Sequence, residues 1–279
     1  MDDFKKVGWE LAKGEGRIGT GNWDAWNLGM DPILAVARQW KEQLSGVEKP
    51  WLCWNIHDDW CRIQQNLVLE AGWTPVVGND TNVQKPTILK GSVYVNFNED
   101  LKLTSMWMHF PLEFVFLFCK KLAFWHSDFL CSVKDMQKFA RIFEGLEDGV
   151  CASAYACDSI WPWRDKKRDK YFELLGCTTE SASRSQFENG VGWWRNVQCH
   201  PNFKKAEHKE DYRYEHGVGV LVWKNKFDGK VVKLKPNEKL GHCDRKKETL
   251  KQISGKYEEM EAYYNLPNVA KRLGIENFL

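Results

Sequence analysis

Between residues 50 and 156, short apolar runs alternate with helical stretches, and this alternation constrains the fold more than any other feature of the chain. Trp51 to Ile56 is an apolar run, Trp60 to Gly72 has helical spacing at Ile63, Leu67 and Leu69, and Thr74 to Val77 is a second run closed by Gly78-Asn79-Asp80. Ser92 to Phe97, Leu122 to Trp125 and Val150 to Tyr155 continue the strands, with helices expected over Leu103 to Cys119 and Val133 to Leu146. Ser132 is placed to cap the latter, and Gly149 stands just past its end. Short apolar strands separated by helices pair in parallel and need helices on both faces, so an α/β layer built around one sheet is expected.

The flanking regions carry less pattern. Pro32 to Leu44 reads as an amphipathic helix behind a glycine-rich leader. Beyond residue 156, Asp158 to Lys170 and Thr178 to Ser185 read as loops and short helices. Val218 to Trp223 and Lys230 to Lys235 read as a β-hairpin turning at Asp228-Gly229, and Lys246 to Leu279 as two helices broken at Pro267.

Composition serves mainly to exclude. A chain that is 43% hydrophobic and 14% aromatic buries a core, so disordered and low-complexity classes are ruled out. With 40 Lys and Arg against 38 Asp and Glu, it carries no global charge of the kind that draws nucleic acid. The first residues lack the apolar stretch of a secretory signal, and the run from Met106 to Phe118 is too short to span a bilayer. Nine cysteines without a CxxC pair suggest reduced core thiols, and the expected location is cytoplasmic. Signatures for P-loop, dinucleotide-binding, α/β-hydrolase and zincin sites are missing.

The chemistry-bearing segment is Leu122 to Leu130, an apolar strand that ends in His126-Ser127-Asp128. Residues 126 and 128 point the same way on extended backbone, and ligands in α/β sheets sit beyond the carboxyl ends of strands. An imidazole and a carboxylate so placed can share one divalent ion, with Asp128 the harder ligand and His126 the softer.

On these residues the chain resembles nucleotide-sugar glycosyltransferases of the GT-A fold, in which a central strand ends in an acidic DxD-like triplet. The likeness covers roughly residues 50–245, and the first acidic position is His126 here. The resemblance implies a mixed, mainly parallel sheet flanked by helices, with a C-terminal β-hairpin and helical tail. One unit over residues 1–279 is expected: a leader and helix (1–49), a nucleotide-binding half (50–156), an acceptor and metal half (157–245) and the tail (246–279).

It further implies a nucleotide-sugar donor, a Mn or Mg ion held by His126 and Asp128, and a third ligand from either His216 or His242. Asp58 and Asp80, after the first two strands, are the candidates for the donor's ribose, and Lys224 for its diphosphate. Phe187 to Asn196 resembles an acceptor segment, with Trp193 and Trp194 as stacking faces and Glu188 as general base. Asp158, Asp165 and Asp169 are alternative bases, and the acceptor is open between saccharide, protein and modified nucleic-acid base. Two rival functions remain: a catalytically degenerate glycan- or partner-binding module of the same fold, and a metal-dependent phosphoester hydrolase.

Overall fold

The computed structural model describes residues 4–5, 29–80, 83–97, 99, 101, 108–158, 168–193, 218–234, 241–242 and 265–279. Helix α1 (Met30–Gln43) leads into β1 (Pro50–Asn55), α2 (Asp58–Glu70), β2 (Thr74–Asn79) and β3 (Val93–Tyr94). Two short helices, α3 (His109–Leu112) and α4 (Val115–Phe118), precede β4 (Lys121–Trp125), β5 (Phe129–Leu130) and α5 (Val133–Glu144). Next come β6 (Val150–Asp158), β7 (Arg168–Thr179), α6 (Glu180–Glu188), α7 (Val218–Lys226) and β8 (Lys230–Leu234). The last elements are β9 (Gly241–His242), α8 (Leu266–Leu273) and a 3-10 turn over Glu276–Phe278.

A seven-stranded sheet runs in the order β3-β2-β1-β4-β7-β6-β8, and β5 pairs with β9 in a separate two-stranded ribbon. All pairings within the large sheet are parallel except those of β7, which lies antiparallel to both β4 and β6. The expected mainly parallel, helix-flanked α/β sheet is therefore present.

Tryptophan fills both faces of this sheet. On one, Trp51 packs against Trp125, Trp73 and Phe143 with ring centroids 5.0–5.4 Å apart, beneath α2 and α5. On the other, Trp40 of α1 meets Phe97 and Phe118 edge-on, and Trp54 meets Phe97. These edge-on and tilted pairs place the positive rim of one ring against the face of another, adding to their area burial. The alternation in β1 explains the division, because Trp51 and Cys53 project to one side and Leu52 and Trp54 to the other. Six cysteines among the described residues carry free thiols, and burial pushes that of Cys61 up to about 12, so they act as packing groups.

Several elements differ from the sequence-based expectation. The stretch Val218 to Trp223 is helix α7 rather than a hairpin strand. A short, wholly buried apolar run has no periodicity to separate strand from helix. The Asp-Gly pair does supply the positive φ, at 53° for Asp228, but it ends a helix instead of turning a hairpin. The backbone N–H groups of Phe227 and Gly229 both donate to the Trp223 carbonyl, and β8 then joins β6 in parallel.

Strand β7, at 12 residues, was not expected in the region read as loops and short helices, whereas α6 is a short helix of the expected kind. The helix expected over Leu103 to Cys119 is two short turns interrupted at Glu113 and Phe114, while residues 102–107 lie outside the described set. Pro267 stands in the first turn of α8, and the first of the two helices expected over Lys246 to Leu279 lies outside the described residues. The expected cap at Ser132 is formed: its hydroxyl accepts from the Asp135 N–H at 3.1 Å. Among the described residues, no helix is long and apolar enough to cross a membrane.

Candidate functional site

The chain builds β1, β2 and β3 outward in one direction, then returns to place β4 on the other side of β1. Ligands of α/β sheets bind beyond the carboxyl ends of the strands at such a reversal, here those of β1 and β4. His126-Ser127-Asp128 follows β4 immediately and stands at this point.

The triplet is a tight turn in which the Phe129 N–H donates to the His126 carbonyl at 3.1 Å. Gln64 of α2, fully buried, clamps the turn from below by donating its amide to the carbonyls of His126 at 2.7 Å and Phe129 at 2.9 Å. The His126 N–H donates to Leu174 of β7 at 3.0 Å. With its backbone fixed on two sides, the turn presents both side chains together: His126 Nδ1 lies 3.6 Å from Asp128 Oδ1.

Glu173 of β7 completes the group, its Oε1 standing 3.1 Å from His126 Nε2. Both carboxylates are nearly inaccessible, whereas the His126 side chain is 28% exposed and forms the solvent-facing member. Burial alone would lower the His126 pKa, but the hydrogen bonds and charges of Asp128 and Glu173 outweigh it and hold the imidazole at about 9. With no metal ion bound, the ring is therefore cationic near neutral pH between two carboxylates, and a metal ion would bind it only by displacing the proton on Nδ1.

A stability profile follows. The folded chain keeps a proton on His126 that the unfolded chain releases near its ordinary value of 6.5. The resulting stabilisation is complete below that value and is lost as pH rises through about 9. It amounts to about 3 kcal/mol, taking 1.36 kcal/mol per pKa unit. Urea unfolding at pH 6 and pH 9.5 should show this loss in the wild type and a flatter profile in His126→Gln. Parallel profiles would mean that His126 is not held charged.

The other expected site residues are placed as follows. Asp58 accepts from the backbone N–H of Thr87 at 2.6 Å and from its hydroxyl at 3.0 Å, which ties its carboxylate to the loop over residues 83–89. Asn55, Asn79 and Gln65 hold the same loop through the backbone of Gln84, Val83, Thr87 and Leu89. Asp80 is buried at the end of β2, its N–H bonded to the Asn55 carbonyl at 3.0 Å. The ends of β1 and β2 therefore share one polar network beside the strand-order reversal.

Lys224 belongs to the last turn of α7, where a cation suits the helix dipole, and not to a hairpin strand. Glu188 ends α6, paired with Arg184 at 3.5 Å and accepting the Lys5 N–H at 3.1 Å. Neither partner belongs to the His126 group. Trp193 is 1% exposed and its ring meets Phe124 edge-on at 4.6 Å, so it is a core residue, with no face open for stacking on an acceptor. Trp194, His216 and Asp165 lie outside the described residues. His242 is brought near by its backbone: it pairs with Phe129, the residue after Asp128, in the β5–β9 ribbon.

Among the described residues, no three His, Cys, Asp or Glu side chains form a ready ligand set for a metal ion. What they contribute is the pair His126 and Asp128. Ligand atoms about 2.0–2.2 Å from a common ion stand roughly 3.0–3.6 Å apart between octahedral and tetrahedral angles. The Nδ1 to Oδ1 separation of 3.6 Å matches the tetrahedral end of that range and is roughly 0.6 Å wider than an octahedral ion asks, so the two side chains must draw together to share a Mn or Mg ion.

Gln64 and Glu173 were not anticipated from sequence. Glu173 did leave a signal, since it is the lone carboxylate in the apolar stretch Tyr171-Phe172-Glu173-Leu174-Leu175. Gln64 left none, because a glutamine in an amphipathic helix reads as surface. Compared with known protein families, curated proteins and solved structures, the chain matches none significantly.

Proposed function

We propose that the chain binds a nucleotide-sugar beyond the carboxyl ends of β1 and β4 and transfers the sugar to an acceptor hydroxyl. The observation that carries this is the position of the His126–Asp128 turn: it follows the central strand of the sheet at the strand-order reversal, with an imidazole and a carboxylate 3.6 Å apart. In the resembled GT-A enzymes, the acidic triplet occupies a mid-chain strand end of this kind.

In this reading His126 and Asp128 hold a Mn or Mg ion, with His242, whose strand pairs beside them, preferred to His216 as third ligand. Such an ion, when bound, neutralises charge on the donor's diphosphate. In the transfer the acceptor oxygen forms a bond to the anomeric carbon, the bond to the diphosphate oxygen breaks, and a base takes the acceptor proton. The Asp80, Asn55 and Asn79 network lies where the donor's nucleoside would sit.

Two of the carboxylates considered for the base, Asp158 and Asp169, are on β6 and β7 at the same end of the sheet as Asp128. Glu188 is committed to Arg184 and Lys5. The base is therefore assigned to Asp158 or Asp169 ahead of Glu188.

Thermal unfolding with uridine, guanosine, adenosine or cytidine diphosphate, with and without Mn, tests this reading. At a hundred times the Kd, one of them should add about 2.7 kcal/mol, or roughly 5 °C or more in Tm, and more with Mn than without. No shift with any of the four would overturn it.

A further inference from the structure

The triplet departs from an acidic pattern at its first position, where His126 replaces a carboxylate. The neighbouring strand carries the compensating group. Along β6 and β7 the register pairs Ser153 with Gly176 and then Ala154 with Phe172, so three residues of β7, Glu173 to Leu175, stand against none on β6. Over this bulge β7 follows β4 instead, with Leu175 paired to Trp125 and the Leu174 carbonyl accepting the His126 N–H.

Bulges leave residues unpaired, bend the strand and re-aim side chains, often beside functional sites. The buried hydroxyl of Ser153 secures this one by donating to the carbonyls of Ala154 and Phe172, both at 3.1 Å. The bulge brings Glu173 to 3.1 Å from His126 Nε2. An in-register ladder would have kept β7 on β6 at this point.

We propose that Glu173 is a positioning residue of the site: through Nε2 it fixes the ring of His126 so that Nδ1, facing Asp128, is the nitrogen offered to a divalent cation. A histidine that binds a metal through one ring nitrogen commonly gives its other N–H to a carboxylate, which sets the tautomer and the ring plane. Here the carboxylate comes from the antiparallel strand, and its carrier is the bulge. The inference rests on the reading of His126 and Asp128 as a cation-binding pair, but its first test does not require that reading.

That test uses protein labelled with 15N-histidine and no metal or nucleotide. A slowly exchanging His126 Nε2–H signal should be present in the wild type, retained in Glu173→Gln, whose amide oxygen still accepts, and lost in Glu173→Ala. A signal unaffected in Glu173→Ala, or absent in the wild type, would overturn the proposal. The second test titrates Mn alone into the three proteins. Glu173→Ala should bind at least tenfold more weakly than the wild type, and Glu173→Gln within about threefold of it, since loss of such outer partners costs on the order of 10–100-fold in metal affinity. Equal Mn affinity in wild type and Glu173→Ala would also overturn it. A wild type that shows the Nε2–H signal but binds no Mn would refute the metal reading and, with it, the role of Nδ1, while leaving Glu173 as the group that orients His126. Near-UV circular dichroism on each variant confirms that the tryptophan core is intact.

Discussion

Asp128→Asn should remove the metal-dependent part of nucleoside diphosphate binding almost entirely. Asparagine keeps the size of the side chain and one acceptor oxygen, so the turn clamped by Gln64 has no steric reason to move. What disappears is the negative charge that, in the proposed reading, makes Asp128 the hard ligand of the pair, and Asn is a far weaker partner for Mn or Mg. The diphosphate affinity measured with Mn should fall by about a hundredfold or more, or roughly 2.7 kcal/mol at 1.4 kcal/mol per tenfold. Affinity without Mn should change little.

The cost in stability should be much smaller than the cost in binding. His126 keeps Glu173 at 3.1 Å, so its charge is not stranded when Asp128 is neutralised. A loss of about 1 kcal/mol in urea unfolding is expected at pH 7. If the variant loses several kcal/mol while metal-dependent binding persists, Asp128 is a structural anchor for His126 and the ion sits elsewhere.

The parts of this site visible in sequence are those set by local pattern. β1, α2 and β2 follow from apolar runs, helical spacing and turn residues, all readable within a few positions. Alternation on an extended segment anticipates the closeness of His126 and Asp128, but the structure achieves it differently, by a tight turn after β4 closed by the Phe129 N–H on the His126 carbonyl. The side chains added by the structure come from distant positions. Gln64 reaches the turn across 62 residues and Glu173 across 47, and no local rule connects either to His126.

β7 was hidden for a related reason. Burial alternates regularly from Tyr171 to Leu175, but one of the buried positions is Glu173, so a strand in mid-sheet carries a carboxylate where an apolar residue would advertise it. α7 was hidden by the reverse problem: an uninterrupted apolar run over Val220, Leu221, Val222 and Trp223 suits a buried strand and a buried helix equally. Its tertiary setting decided, because Trp223 lies over the α6 side of the sheet and donates its indole N–H to Ser185 at 3.0 Å. Trp193 shows the same limit, since a glycine-flanked tryptophan reads as a loop residue until its partner Phe124 is known.

Gly219→Ala should be among the most damaging small substitutions in the chain. Gly219 lies in the first turn of α7, and its α-carbon abuts the backbone of Gly192 so closely that a β-carbon would fall on the Gly192 peptide. A backbone cannot rotate away as a side chain can, so either α7 or the segment over residues 190–193 must shift. Gly192 has no room on its other side, where a β-carbon would come within 2.7 Å of the buried Glu113 carboxylate. Displacing the segment would pull Trp193 from Phe124 and Val191 from the core. Overpacking of this kind costs typically 1–3 kcal/mol, and the coupled loss of a buried tryptophan contact raises the expectation to about 4 kcal/mol, or ~10 °C in Tm. Gly145→Ala is the matched control, because Gly145 has an ordinary φ of −77° and its β-carbon would meet nothing closer than 3.7 Å. The control should unfold within about 0.5 kcal/mol of the wild type. Equal stability of the two variants would mean that α7 and the 190–193 segment do not pack glycine to glycine. The contrast also bears on the proposed function: a segment locked between Gly219 and Glu113, with Trp193 turned inward, holds the sheet, so Trp193 is removed from the candidates for a stacking face.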